Sequence, residues 1–167
     1  AYPHMQRLRV SAREYPFDAA HVPGEAGAEF VPSQVLFSRS RGSYATGELE
    51  LERDGDAIRL LDHRSGHREL QLVKITGSSF ASFVRDEYTT LPERVDRPLF
   101  IYLDVYWRYA DIAHAVAPDH SRYISSEQVC DVAQVIFHEF VSMSIQHLVH
   151  EMGLRLLERF PQMAEVS

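Results

Sequence analysis

Nine histidines in 167 residues first suggest metal chemistry. His147 and His150 stand three apart, with Glu151 next, and such residues can share a helix face. The order His-x-x-His-Glu matches neither the zinc-protease helix pattern nor its inverse. Solvated or interface histidines are the plainer reading, and His138-Glu139 has no third ligand at useful spacing. Lys74 is the only lysine and Cys130 the only cysteine. Cys130 cannot form an internal disulfide, fits a reducing compartment, and reads as a small buried hydrophobe. Thr76-Gly77-Ser78-Ser79-Phe80 is glycine-poor and precedes no helix, so it is not a phosphate loop. No Ser-His-Asp or Cys-His arrangement follows from spacing, because such partners lie far apart in sequence.

The connection from Thr76 to Arg97 is the segment that stands out. It packs Phe80, Phe83, Arg85, Asp86, Tyr88, Thr89, Thr90 and Arg97 into a stretch with no strand or helix period. Structureless connections of about 20 residues are uncommon and often functional. The plain alternative is a loop that tucks its aromatics beneath itself as a small satellite core.

The flanking elements would have to position that loop. Leu8, Val10 and Ala12 alternate with Arg7, Arg9, Ser11 and Arg13, which is the period of a strand. Asp18 to Ala28 is rich in Ala, Gly and Pro and reads as a surface loop. Phe30 to Phe37 resumes extended chain. Leu49 and Leu51 alternate with Glu48, Glu50 and Glu52, and Asp54-Gly55 supplies a tight hairpin turn. Ile58 and Leu60 lie on the return strand. Arg64-Ser65-Gly66 marks another turn or bulge, and Leu70 to Thr76 continues in strand. Pro98 to Tyr109 is a long strand with Leu99, Ile101, Leu103, Val105 and Trp107 on one face. Phe100, Tyr102 and Tyr106 line the other, so both faces are expected to be covered.

The last third turns helical. Ser125 or Ser126 caps a helix to about His138, with Val129, Val132, Ala133, Ile136 and Phe137 inward. A second helix starts near Ser142 or Ser144. Ile145, Leu148, Val149, Met152 and Leu156 recur at helical spacing, and Pro161 closes the helix. Strands, then two helices, then a strand predict an α+β fold with helices packed on one face of an antiparallel sheet.

Bulk properties narrow the partners. The net charge of −7 with no basic block argues against nucleic acid. With 45% hydrophobic and 25% charged residues, the composition is that of a globular chain of one or two small domains. No apolar run approaches the roughly 18 residues of a membrane span. The first ten residues hold His4, Arg7 and Arg9 and do not read as a secretion signal. The chain does not begin with Met and stops inside an apparent fresh strand, Met163 to Ser167. A strand without its partner leaves backbone groups unpaired, so part of a longer polypeptide is expected.

Thr76-Gly77-Ser78-Ser79-Phe80, then Arg85-Asp86-Glu87-Tyr88-Thr89-Thr90-Leu91, then Asp96-Arg97, closely resembles the central signature of urate oxidases. The strand ending in Trp107, the helix start Ser142-Met143-Ser144-Ile145-Gln146 and the strand from His4 to Phe17 fit the same family in order. The resemblance implies a tunnelling fold (T-fold) that assembles into a barrel-like oligomer. Each of its units has two strands, two helices and two strands. Residues 1–54 would be the closing hairpin of a first unit, and residues 55–167 a second unit lacking its final strands. The implied reaction is oxidation of urate by O₂ to 5-hydroxyisourate and hydrogen peroxide, with no metal or organic cofactor. A homotetramer with sites between subunits goes with it, and neither nucleic acid nor membrane is a partner. The expected location is cytoplasmic, or peroxisomal in a eukaryote.

Site roles transfer by matching position. Phe80 resembles the aromatic that stacks on the purine, and Arg97 the guanidinium that pairs with its pyrimidine edge. Gln146 matches the amide facing it, and Ile145 the residue whose backbone N–H meets the ligand. The chemistry is consistent. Urate is a planar monoanion, suited to an aromatic stack, an Arg fork and a helix start. Gln offers a donor and an acceptor to an amide-like edge. The family's catalytic lysine, threonine, asparagine and histidine fall outside this stretch, and Lys74 occupies a position not used as the base. No catalytic residue is therefore expected here, and this stretch alone is expected to be inactive. Two alternatives remain: a T-fold enzyme acting on a pterin, with or without zinc, and a non-catalytic purine-binding scaffold.

Overall fold

The computed structural model describes residues 4–24, 29–39 and 42–167. Five strands form an antiparallel sheet: β1 (Arg7–Glu14), β4 (Tyr44–Asp54), β5 (Ala57–Lys74), β6 (Leu99–Tyr109) and β7 (Met163–Val166), in the order β1-β4-β5-β6-β7. β2 (Asp18–Pro23) and β3 (Phe30–Ser38) pair separately as a two-stranded ribbon. Helices α1 (Ser126–Glu139) and α2 (Ile145–Arg159) lie between β6 and β7 in the chain.

The Arg/Glu alternation of β1 and β4 is a cross-strand ladder. Arg7 meets Glu52, its opposed partner in the register, at 3.0 Å, and Arg9 reaches diagonally to Glu48 at 2.6 Å. Exposed pairs of this kind stabilise little, but like charges in their place would oppose pairing. The hairpin from β4 to β5 turns on Gly55 and Asp56, one residue later than the Asp54-Gly55 reading, since Asp54 already pairs with Ala57. Gly55 takes a φ of 63°, a conformation glycine adopts without Cβ strain.

Three other expectations are corrected. Asp18 to Pro23 is strand rather than loop, because it finds a partner in β3, which local composition does not disclose; residues 25–28 of that stretch lie outside the described residues. Arg64-Ser65-Gly66 is no turn, and β5 runs straight through it. Gly66 is glycine because the Tyr106 ring of its register partner lies across it: a Cβ there would sit 2.5 Å from that ring. The register shifts in β5 fall on either side of Gly66, at Leu61 against β4 and between His67 and Leu70 against β6, with Glu69 at a φ of 60°. Finally, within this chain the second face of β6 is open at Phe100 and Tyr102, 52% and 71% exposed, while Tyr106 on that face is half-buried beneath Arg64.

The covered face carries the core. Leu99, Val105, Trp107 and Tyr109 of β6 pack with Val129, Ala133, Ile136 and Phe137 of α1 and Leu148, Met152 and Leu156 of α2. Each large aliphatic buried there contributes about 1.5–3 kcal/mol. Cys130 is buried and unpaired. Ser125 caps α1 in a reciprocal box with Gln128. Ser144 caps α2 through a 3.1 Å bond from His147 N–H. In α2 the inward stripe is narrower than its apolar spacing suggests: Ile145 is 43% and Val149 61% exposed. Ile145 shares the azimuth of the buried Met152 but lies in the first turn, and Val149 lies at the side of the stripe. β7 is paired to β6 at the sheet edge, with Ser167 N–H and C=O both bonded to Tyr106 at 2.9 and 2.8 Å.

Candidate substrate-binding site

The site is built where the chain leaves β5. The Thr76 hydroxyl and the Gly77 N–H both donate to the Asp96 carboxylate, at 2.6 and 2.8 Å. That pins the two ends of the connection together. The same bonds hold Asp96 below the usual carboxylate range, the Thr76 hydroxyl contributing most. Gly77 adopts a φ of 76°, which lets the chain turn sharply off the strand.

Three serines then lace the connection to the segment that opens α2. Ser78 and Ser142 form a parallel bridge. The Ser79 N–H and hydroxyl both donate to the Ser142 carbonyl at 2.9 Å. Ser78, Ser79 and Ser142 are all buried. Their small side chains let two backbones approach closely, so Phe80 is carried to the start of α2.

The rest of the motif is self-bracing. Phe80 and Arg94 exchange backbone bonds in both directions at 2.8 Å. The Phe83 ring stacks on Phe80 with centroids 4.6 Å apart. Arg85 donates to the Leu91 carbonyl at 2.9 Å, and its guanidinium lies 5.0 Å from the Phe83 ring centre. Asp86 accepts from the Tyr88 N–H at 3.0 Å and the Thr89 hydroxyl at 2.8 Å, closing a tight turn. The loop therefore does tuck two phenylalanines together, and it also presents one of them to a depression.

That depression, of about 460 Å³, brings together Phe80, Arg97, Ile145 and Gln146. Leu91, Pro92 and Arg94 complete its lining. The Arg97 guanidinium carbon lies 5.6 Å from the centre of the Phe80 ring. Its backbone N–H is tied to the Ser78 carbonyl at 2.8 Å, while its buried Nε has no hydrogen-bond partner. The first intrahelical bond of α2 runs from Leu148 N–H to the Ser144 carbonyl. The N–H groups of Ile145 and Gln146 precede it, at the positive end of the helix dipole. A ring to stack on, a planar cation and a helix start can together hold a flat, anionic heteroaromatic ring.

Lys74 lies close by but faces away. Its ammonium donates to the carbonyls of Phe137, His138 and Phe140, at 3.0, 2.8 and 3.1 Å. All three of its protons are spent on the C-terminal end of α1. His63, His67 and His147 likewise serve the packing. Burial lowers the pKa of His63 and of His67. His63 Nε2 accepts the Tyr109 N–H at 2.8 Å, and His67 Nδ1 meets the Ser126 hydroxyl at 2.6 Å. The His147 ring packs edge-on against Phe140. Among the described residues no three His, Cys, Asp or Glu side chains converge as a metal site. Sequence reading did not single out Pro92 or Arg94. The only available signal for Arg94 was a second arginine three residues before Arg97.

Fold and depression together define an α+β chain with a pocket suited to a planar anion. The family model described as Uricase matches residues 63–167. A uricase from Halalkalicoccus jeotgali is 50% identical over 99% of this chain and 54% of its own length. The uric acid degradation bifunctional protein of Bacillus subtilis is 42% identical over 99% of this chain and 33% of its own. The crystal structure of a uricase from Bacillus fastidious superposes with a TM-score of 0.89 at 40% identity, covering 99% of this chain and 51% of that one. The chain belongs to the uricase family, and its sheet with two helices on one face is the T-fold of that family. It spans 54% and 33% of the two curated relatives named.

Proposed function

We propose that the full-length protein oxidises urate, and that this chain supplies half of its binding apparatus. The observation that carries the reading is the convergence of Phe80, Arg97, Ile145 and Gln146 on one depression. Phe80 stacks on the purine. Arg97 pairs with its anionic edge through two parallel N–H bonds, which also gives its open Nε an acceptor. Gln146 meets the same edge from the other side, and the Ile145 N–H donates at the helix start. Urate, O₂ and water give 5-hydroxyisourate and hydrogen peroxide: two electrons leave the purine for O₂, and water supplies the new hydroxyl. The substrate is itself the reductant once a base removes a further proton, so the reaction is proposed to be free of metal or organic cofactor. The base and its relay partners belong to the remainder of the protein, because Lys74 is committed to α1 carbonyls. Residues 1–54 would close one T-fold unit and residues 55–167 open a second, in a homotetramer with the depression at a subunit contact. Cytoplasm, or the peroxisome in a eukaryote, suits this reaction.

The test follows urate absorbance, O₂ uptake and peroxide together in the full-length protein, with and without chelator. Equimolar consumption and production that survive chelation support the reading. Urate left unchanged would overturn it, and activity lost on chelation would overturn the cofactor-free part.

A further inference from the structure

The depression holds two guanidinium groups, and the proposed reaction uses only one. Arg97 is half-buried against Phe80. Arg94 is exposed on the wall, three residues earlier. Its backbone is already spoken for, since its N–H and carbonyl both bond Phe80 at 2.8 Å. The neighbouring charges are occupied elsewhere. Asp96 holds Thr76 and Gly77. Glu93 accepts the Ser82 N–H at 3.1 Å. Arg85 is turned to the Leu91 carbonyl. Among the described residues no carboxylate forms an ion pair with Arg94, so its charge is left to the depression. The chain carries a net charge of −7. An anion approaching it meets repulsion overall, and a local positive potential must overcome that at the mouth of the site.

We propose that Arg94 is a specificity-determining residue that favours an anionic ring over a neutral one. This inference rests on the urate reading. Arg94 acts as a point charge at the mouth, not as a fork: no second planar donor is needed where Arg97 already meets the edge. Its contribution is uniform, the same in bound substrate and transition state, so it lowers KM and leaves kcat alone. It acts through solvent and is screened by salt, over a Debye length of about 10 Å at 0.1 M and about 3 Å at 1 M.

The experiment compares full-length wild type, R94Q and R94K in urate oxidation at low and high salt. R94Q should raise KM about three-fold at low salt with kcat unchanged, the size expected of one exposed unit charge a few ångströms away in water. The difference should disappear at high salt. R94K, which keeps charge and loses planarity, should match wild type. The Phe80 pairing uses only the backbone of Arg94, so both variants retain it. An R94Q KM equal to wild type at low salt would overturn the inference alone. So would an equal defect at high salt, or an R94K that behaves like R94Q. Wild type without urate turnover would overturn the functional reading and this inference with it.

Discussion

Lys74→Met separates two readings of the single lysine in this chain. As a base, an ammonium at the end of β5 would take part in proton transfer. As a cap, it holds the C-terminal end of α1, which is what its three bonds to the carbonyls of Phe137, His138 and Phe140 indicate. Met keeps the length and much of the aliphatic stem, so packing against Gly77 changes little. What is lost is the charge and three donors. A hydrogen bond to a charged group contributes about 1.5–3 kcal/mol. A cation at a partly buried helix C-terminus contributes up to about 2 kcal/mol. These describe overlapping effects, and water can replace some of the bonds at a half-buried site. The expected loss is therefore about 2–3 kcal/mol and not their sum. The assay is denaturant unfolding of full-length protein at fixed concentration, with urate turnover measured on the same samples. The unfolding midpoint should fall with an unchanged slope. kcat should stay within a few-fold of wild type, and KM should rise modestly, because the segment after α1 holds Ser142 against Ser79. A positioned base contributes about 10²–10⁴-fold in rate. A kcat loss of that size at unchanged stability would refute the cap and make Lys74 catalytic.

Three further outcomes follow from the site and its supports. Arg97→Lys should weaken urate binding by about 1.5–3 kcal/mol, since one ammonium cannot replace two parallel bonds to a planar edge; an unchanged affinity by titration would reject that role. Asp96→Asn should raise KM by loosening the neck of the connection. With its folded pKa lowered, the Asp96 carboxylate stabilises the fold fully above the ordinary carboxylate range and loses that effect as pH falls through the lowered value. The Asn variant should therefore show a KM defect at neutral pH, and wild-type kinetics in it would count against the clasp. His63 and His67, both lowered chiefly by burial, stabilise the fold fully above their unfolded pKa of about 6.5 and progressively less as pH falls through the folded values. Unfolding midpoints at pH 5 and 7.5 should differ less in His63→Gln/His67→Gln than in wild type, and an equal difference would place the acid sensitivity elsewhere.

Local pattern made much of the fold legible because its elements satisfy themselves locally. The Ser125 box and the Ser144 cap start both helices near their expected positions, since a cap is a short-range bond. The alternation of β1, β4 and β6 is likewise local. The failures turn on what pairs with or covers a segment, which its own residues do not disclose. Gly66 reads as punctuation until the Tyr106 ring lies across it. Asp18 to Pro23 reads as loop until β3 pairs with it. Phe100 and Tyr102 look like core on composition, yet the helices cover only the opposite face. Val149 fits the helical period, but a helix lying on one sheet face buries a narrower stripe than its apolar residues could fill, and Ile145, on the inward azimuth, opens onto the depression at the helix start.

The candidate site shows the same division more sharply. Residue types in the 76–97 connection signalled something beyond a linker, but no period could say that Phe80 would meet Gln146. Their meeting depends on two isolated bridges, Ser78 to Ser142 and Phe80 to Arg94, and on the Asp96 clasp. None of these belongs to a regular ladder, so no propensity predicts them. Each uses backbone groups or short side chains, and together with the Phe80–Phe83 stack they fix the loop. That construction explains why the recognisable signature is long. Ser79 bonds Ser142, Asp86 makes the turn, Arg85 reaches Leu91, and Asp96 closes the neck. Only Phe80 and Arg97 of that stretch are proposed to touch the ligand in fixed roles. The remaining motif residues hold those two at the start of α2, so a substitution among them should alter KM through position and not through a lost contact.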